Sequence, residues 1–260
     1  MNRKAILMVS FGTSNLETKE KTIDRIEKRI RETFTQCKVY TAFTSEVILR
    51  KLRSKYDVHV YSVEEAMAAM IKDQIVEIIV QPTHILDGIE NHRMLQIVKE
   101  FQQEFKSISV GAPLLHTQRD YEEVILGLIE VLPKLNDEEA ILFMGHGSES
   151  LNNTYGFTMN QMLKKHGCAN WYMAMLEGEP YIWDILNILK QHKYHKIFLT
   201  PFLIVAGMHA TKDMVGEKED SWKNILFREG YEVESILRGL GEYEFIAELI
   251  IKHINEAQKL

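Results

Sequence analysis

Ala5-Ile6-Leu7-Met8-Val9 is an uninterrupted apolar run that passes into Ser10-Phe11-Gly12-Thr13-Ser14. A run without polar alternation belongs to a strand covered on both faces, as in a parallel sheet. The small residues after it predict a turn, and Ser14 with Glu17 reads as a capping box opening a helix. Leu16, Ile23, Ile26, Ile30 and Phe34 then recur at helical spacing. The pattern repeats down the chain. Further strands are expected over 39–43, 75–80 and 108–110, with helices over 46–54, 62–73, 88–105 and 117–132. A second series begins near 139, with strands over 140–144, 171–176, 197–199 and 233–236. Helices lie over 152–166, stopped by Gly167, and over 180–191 and 242–258. Strands alternating with helices imply parallel sheets with helices on both faces.

The two series also match in detail. Ile6 to Ser14 resembles Ile141-Leu142-Phe143-Met144-Gly145-His146-Gly147-Ser148, and Ile78-Ile79-Val80-Gln81-Pro82 resembles Ile197-Phe198-Leu199-Thr200-Pro201. A glycine follows each of the latter pair, at Gly88 and Gly207, and in that register Glu90 falls opposite His209. The expected fold is therefore α/β, with two similar Rossmann-like domains, each a four-stranded parallel sheet flanked by helices. Asn136-Asp137-Glu138-Glu139 is the boundary, giving domains 1–136 and 137–260. Ligands of open parallel sheets bind beyond the carboxyl ends of the strands, so the active site is expected in the inter-domain cleft.

Composition narrows the function. The 260 residues carry 31 basic and 37 acidic side chains, a net charge of −6, without the basic surplus of a nucleic-acid protein. No apolar run reaches the ~20 residues that span a bilayer. Met1-Asn2-Arg3-Lys4 and the apolar run after it faintly mimic a signal peptide, but no cleavage pattern follows and a charged helix does. Cys37 and Cys168 form no CxxC pair or disulfide framework, which fits a reducing, cytoplasmic setting. There is no GxxxxGK[ST], no complete dinucleotide fingerprint and no G-x-S-x-G elbow.

Reactive side chains just past strands are few. Of ten histidines, seven, including His253, lie in helical or polar surroundings and read as surface residues. His84, His146 and His209 instead follow strands in uncharged segments. His146 stands between Gly145 and Gly147, which permit a tight turn and close approach. His209 ends a long apolar segment, and His84 fits packing as well as function. Glu177 and Glu179 follow the strand ending at Leu176. Glu179 suits the start of the next helix, leaving Glu177 to face the cleft. Imidazoles with a carboxylate from separate strand ends suit cobalt, iron, nickel or zinc.

These segments, in order and spacing, resemble the anaerobic cobalt chelatase (CbiK) family of class II chelatases from end to end. The resemblance runs through Val9 to Ser14, Ala42-Phe43-Thr44-Ser45 with Ile48 to Leu52, Gln81 to Ile85, Gly111 to Leu115 and Phe143 to Gly147. It continues through Val205 to Ala210, Asp213-Met214, Asp220 to Lys223 and Gly239 to Glu242. It implies insertion of Co2+ into sirohydrochlorin in anaerobic cobalamin biosynthesis, with metal ligands at His146, Glu177 and His209. It further implies His146 as proton acceptor and Glu90 as a catalytic acidic position. Glu177-Gly178-Glu179-Pro180 departs from the Glu-Ser-Tyr-Pro of the family, so Glu179 stays an alternative to Glu177. Met208 stands where related sequences carry Asp.

Metal insertion exchanges two pyrrole protons for one divalent ion. Histidine serves as ligand or base near neutrality, its ordinary pKa being ~6.5. Sirohydrochlorin carries carboxylates, so an acidic protein must gather basic groups locally. Arg50, with Lys51, Arg53 and Lys55, is one cluster, and Arg93 and Lys212 are others. Ser10, Phe11, His84, Leu86 and Met208 are the further substrate-binding candidates, with Phe202 as another wall residue. The expected partners are the tetrapyrrole and the divalent metal, without nucleic acid or membrane, and a homo-oligomer is compatible with the sequence. Fe2+ or Ni2+ in place of Co2+, and a non-catalytic tetrapyrrole or metal carrier, are the competing readings.

Overall fold

A computed structural model describes residues 3–147 and 154–260; the start of the helix expected from 152 lies partly outside them. The chain divides into two compact units, Met1–Asp120 with Gly241–Leu260, and Tyr121–Leu240. All eight expected strands form, as β1 (Lys4–Ser10), β2 (Lys38–Phe43), β4 (Glu77–Pro82), β5 (Ser107–Val110), β6 (Glu139–Gly147), β7 (Trp171–Glu177), β8 (Lys196–Pro201) and β9 (Glu232–Ser235). Two short strands were not legible, β3 (Tyr61–Ser62) and β10 (Gln258–Lys259). The first sheet is thus six-stranded, in the order β10-β5-β4-β1-β2-β3, and the second is four-stranded, β7-β6-β8-β9. Apart from β10, which is antiparallel to β5, every pairing is parallel. The four central strands of the first sheet and the four of the second follow one order, with the opening strand between the second and third of its series. That shared order is what the paired sequence segments encode.

The continuous apolar runs are buried as expected. Ile6, Leu7, Met8 and Val9 are inaccessible in β1, and Ile141, Leu142 and Met144 in β6. One core gathers Leu7, Val9, Met67, Met70, Val80 and Met94, and the other Leu142, Met144, Ile185, Leu186, Leu199 and Met214. Helix starts follow side-chain chemistry. The first helix is capped by Asn15, whose side chain accepts from Thr18 N, so the expected Ser14–Glu17 box does not form. Gly167, at φ +80°, follows the helix Tyr155–Lys165, as its sequence position suggested.

The split expected at 136/137 places the C-terminal helix, Glu244–Asn255, with the second series. It packs on the helix Arg25–Thr33 and on β4, within the first unit. Ile246, Leu249, Ile250 and Ile254 provide its apolar face. Arg25 reinforces the contact through Glu244 at 3.0 Å. His253, expected at the surface, is only 3% exposed and meets Asp120 Oδ1 through Nε2 at 3.1 Å. The other Asp120 oxygen accepts from the N–H groups of His116 and Thr117, while Thr117 Oγ1 accepts from Asp120 N. Asp120 therefore caps the helix Gln118–Val131 and anchors the C-terminal helix at once. Burial alone would raise its pKa. The Thr117 N–H and His253 outweigh burial and hold the carboxyl below the ordinary range.

At the far end of β6 two glycines allow a close approach. Gly147 pairs with Glu177 of β7 at φ +80°, and a Cβ there would overlap the Glu177 carbonyl. A Cβ at Gly145 would collide with the Tyr155 hydroxyl and lie 2.6 Å from Met175 Sδ. Among the described residues, no helix is long and apolar enough to cross a membrane.

Two expectations follow. Gly147→Ala should destabilise by clearly more than Gly167→Ala, which shares φ +80° but meets open space. The control should lose about 1–2 kcal/mol, the cost of a left-handed L-residue; equal losses in denaturant titrations would contradict the packing argument. His253→Leu, which keeps bulk but strands Asp120, should lower stability by roughly 3 kcal/mol. The Asp120 contribution is full above the ordinary carboxylate pKa and fades as pH falls through its lowered folded value. The gap between wild type and His253→Leu should therefore narrow in acid, as read by thermal unfolding at stepped pH.

Candidate active site

Three of the expected residues lie together in the second unit. His146 is the penultimate residue of β6 and Glu177 the last of the neighbouring β7. His209 opens a π-helical turn, His209–Met214, after β8, the strand on the other side of β6. Adjacent carboxyl ends thus deliver all three. The imidazoles of His146 and His209 meet edge to face with centroids 4.9 Å apart. His146 Nδ1 is 3.9 Å from Glu177 Oε2. The side chains of all three are about half exposed. Among the described residues, no three His, Cys, Asp or Glu side chains are already gathered tightly enough to enclose an ion.

Hydrogen bonds assign the ring nitrogens. His146 Nδ1 lies 3.2 Å from the Gly147 carbonyl, an acceptor only, so this nitrogen carries the proton. His209 Nδ1 meets Asp213 Oδ2 at 2.7 Å, and a carboxylate there again calls for Nδ1–H. In the neutral rings both Nε2 atoms keep their lone pairs. Asp213 lies in a segment that carries the family resemblance, where the sequence assigns it no role; its i+4 spacing from His209 is the signal that points to it.

The π turn owes its placement to a pair one residue out of phase. Ala210 and Met214 are inaccessible in the core, and Thr211 Oγ1 bonds back to the carbonyls of Gly207 and Met208. With Ala210 and Met214 inward, His209 and Asp213 stay at the surface. Met208, 58% exposed, precedes them. Glu179 is exposed beyond β7, and the next helix is boxed by Asp184, whose carboxylate accepts from Tyr181 N at 2.8 Å, a role expected of Glu179. Phe202, expected as a pocket wall, is wholly buried against Phe143.

The first unit carries the remaining candidates. Glu90 lies in the first turn of the helix Ile89–Glu100 that follows β4. That is the position equivalent to His209, since β4 and β8 flank their opening strands alike. Glu90 Oε2 and both His84 ring nitrogens are buried without a hydrogen-bond partner. Burial depresses the His84 pKa, and Asn91 and Glu90 only partly oppose this. Phe11 is 51% exposed past β1, and Leu86 half-buried past β4. Ser10 ends β1. It is 2% exposed and its hydroxyl is 2.7 Å from Thr83 Oγ1, tying the end of β1 to the loop after β4 rather than facing outward. Arg50 is exposed on the helix Glu46–Tyr56 and forms no ion pair among the described residues. Arg53 and Arg93 are engaged by Glu65 and Glu46. Both thiols are unpaired, and burial pushes each pKa up, so neither is a ready thiolate.

Known proteins resemble this chain over nearly its whole length. The chain is 29% identical over 256 residues to the sirohydrochlorin cobaltochelatase of Salmonella typhimurium, covering 98% of this chain and 96% of that one. It is 31% identical over 263 residues to the sirohydrochlorin cobaltochelatase CbiKC of Nitratidesulfovibrio vulgaris, covering 99% and 91%. Among solved structures, SirB from Bacillus subtilis with Fe3+ superposes with a TM-score of 0.67 at 14% identity, over 97% of this chain and 94% of that one. SirB in complex with cobalt gives 0.65 at 14% identity, with the same coverage, and both likenesses concern the fold. Residues 4–259 match the cobalt chelatase (CbiK) family, and the chain belongs to that family.

Proposed function

We propose that this protein is a sirohydrochlorin cobaltochelatase, exchanging the two pyrrole N–H protons of the macrocycle for one Co2+ in anaerobic cobalamin biosynthesis. The observation that carries the reading is the meeting of His146, Glu177 and His209 at three adjacent strand ends. Co2+ is a substrate, held by the two Nε2 atoms and the Glu177 carboxylate, a donor set suited to borderline metals. A set that closes only around the ion favours release. A preformed thiolate cage would retain it.

As a pyrrole nitrogen bonds to Co2+, His146 Nε2 leaves the metal and takes that nitrogen's proton. The resulting imidazolium keeps its Nδ1–H on the Gly147 carbonyl. The second proton passes to water. Glu90, Phe11, His84, Leu86, Arg50 and Met208 serve the macrocycle, Arg50 through its carboxylates and Phe11 and Met208 through its apolar faces. The unpaired thiols Cys37 and Cys168 fit a cytoplasmic setting.

An anaerobic optical assay with sirohydrochlorin and Co2+ tests this. Wild type should form the cobalt complex catalytically, and His146→Ala should be slower by about 100-fold or more, the scale of a lost general base. Stoichiometric binding with no rate above the protein-free blank would refute the enzyme and favour a carrier. Glu177→Gln should weaken Co2+ binding while Glu179→Gln leaves it near wild type; the opposite order would move the ligand to Glu179. With Co2+, Fe2+ and Ni2+ at equal free concentration, Co2+ should be the metal inserted fastest.

A further inference from the structure

The two imidazoles are backed differently. His146 Nδ1 is within hydrogen-bond reach of a neutral peptide carbonyl at 3.2 Å, with the Glu177 carboxylate farther off at 3.9 Å, whereas His209 Nδ1 is bonded directly to the Asp213 carboxylate at 2.7 Å. A carboxylate behind a ligating histidine fixes its tautomer and ring plane and makes the opposite nitrogen a better donor. The geometry is imposed by the fold. Ala210 and Met214 are buried in the core, and the side chains one position earlier, His209 and Asp213, are kept together at the surface of the same π turn. Asp213 has no other hydrogen-bond or ion-pair partner among the described residues, so the structure offers it no competing role.

We propose that Asp213 is a positioning residue for His209, holding Nδ1–H so that Nε2 presents its lone pair to incoming Co2+. This rests on the reading of His209 as a Co2+ ligand. It divides the histidines by task. His209, carboxylate-backed, is the ligand that stays on the metal, and His146, carbonyl-backed, is the one that lets go to accept a proton.

The test uses Asp213→Leu, which removes charge and acceptor, and Asp213→Asn, whose Oδ1 still accepts from Nδ1–H. Asp213 is half exposed, so both should fold, as checked by circular dichroism. The first readout is the nitrogen NMR signature of His209 in metal-free protein, identified by its loss in His209→Gln. Wild type and Asp213→Asn should show the Nδ1–H tautomer, and Asp213→Leu should lose it. The second is Co2+ titration without the macrocycle. Asp213→Leu should bind about 10–100-fold more weakly, with Asp213→Asn between it and wild type. In turnover the rise should fall on the KM for Co2+ and not on that for sirohydrochlorin. An unchanged tautomer in Asp213→Leu, or Co2+ affinity within twofold of wild type, would overturn the assignment while leaving the chelatase reading intact. Failure of wild type to bind Co2+ at all would remove the chelatase reading, and this assignment with it.

Discussion

The candidate site depends on how closely β6 can lie against β7 at its end. Gly147 sits against the Glu177 carbonyl with no room for a side chain, and its positive φ suits glycine. Gly145 meets Tyr155 and Met175 as tightly. With both neighbours reduced to a hydrogen, His146 projects from a strand end that adjoins Glu177 on one side and the turn after β8 on the other. The glycines were expected to admit a ligand; what they admit first is the adjoining strand and helix. The consequence for chemistry is the same, since that approach is what brings the carboxylate to 3.9 Å from the imidazole.

From this constraint the division of labour follows. The rigid sheet supplies His146 and Glu177, and a buried pair of apolar residues pins the turn that supplies His209. Reactive groups on strand ends are placed by the packed core beneath them and stay open above. An insertion enzyme needs this combination, because its metal must arrive, change partners and leave within one cycle.

Much of this was legible in the sequence. Short continuous apolar runs bounded by turn residues, such as Ala5 to Val9, fit a strand buried on both faces, and each of the eight expected strands is found. His146 stood out because an imidazole between two glycines has few packing explanations. What escaped detection was set by tertiary contacts. The two-residue strands Tyr61–Ser62 and Gln258–Lys259 are too short for any periodicity. The C-terminal helix belongs with the first unit because Ile246, Leu249 and Ile250 find their complement there, a choice invisible in an amphipathic pattern. His253 reads as a surface residue from its neighbours, since its partner, Asp120, is 133 positions away. The bond between the Ser10 and Thr83 hydroxyls, 73 positions apart, is likewise invisible in the sequence. Asp213 has no readable role in the sequence, because a carboxylate four residues after a histidine acquires meaning only when both face the same way.

The last strand has a further consequence. β10 lies antiparallel on β5, and Leu260 N donates to the Ile108 carbonyl at 2.9 Å. β5 would otherwise present a row of unpaired peptide groups, a template on which a foreign strand could assemble. Two residues, one of them a lysine, close that row with the chain's own backbone. The cover is brief and polar, so it ends the sheet and offers little to build on. The segment that follows the final helix thus also covers this edge of the sheet.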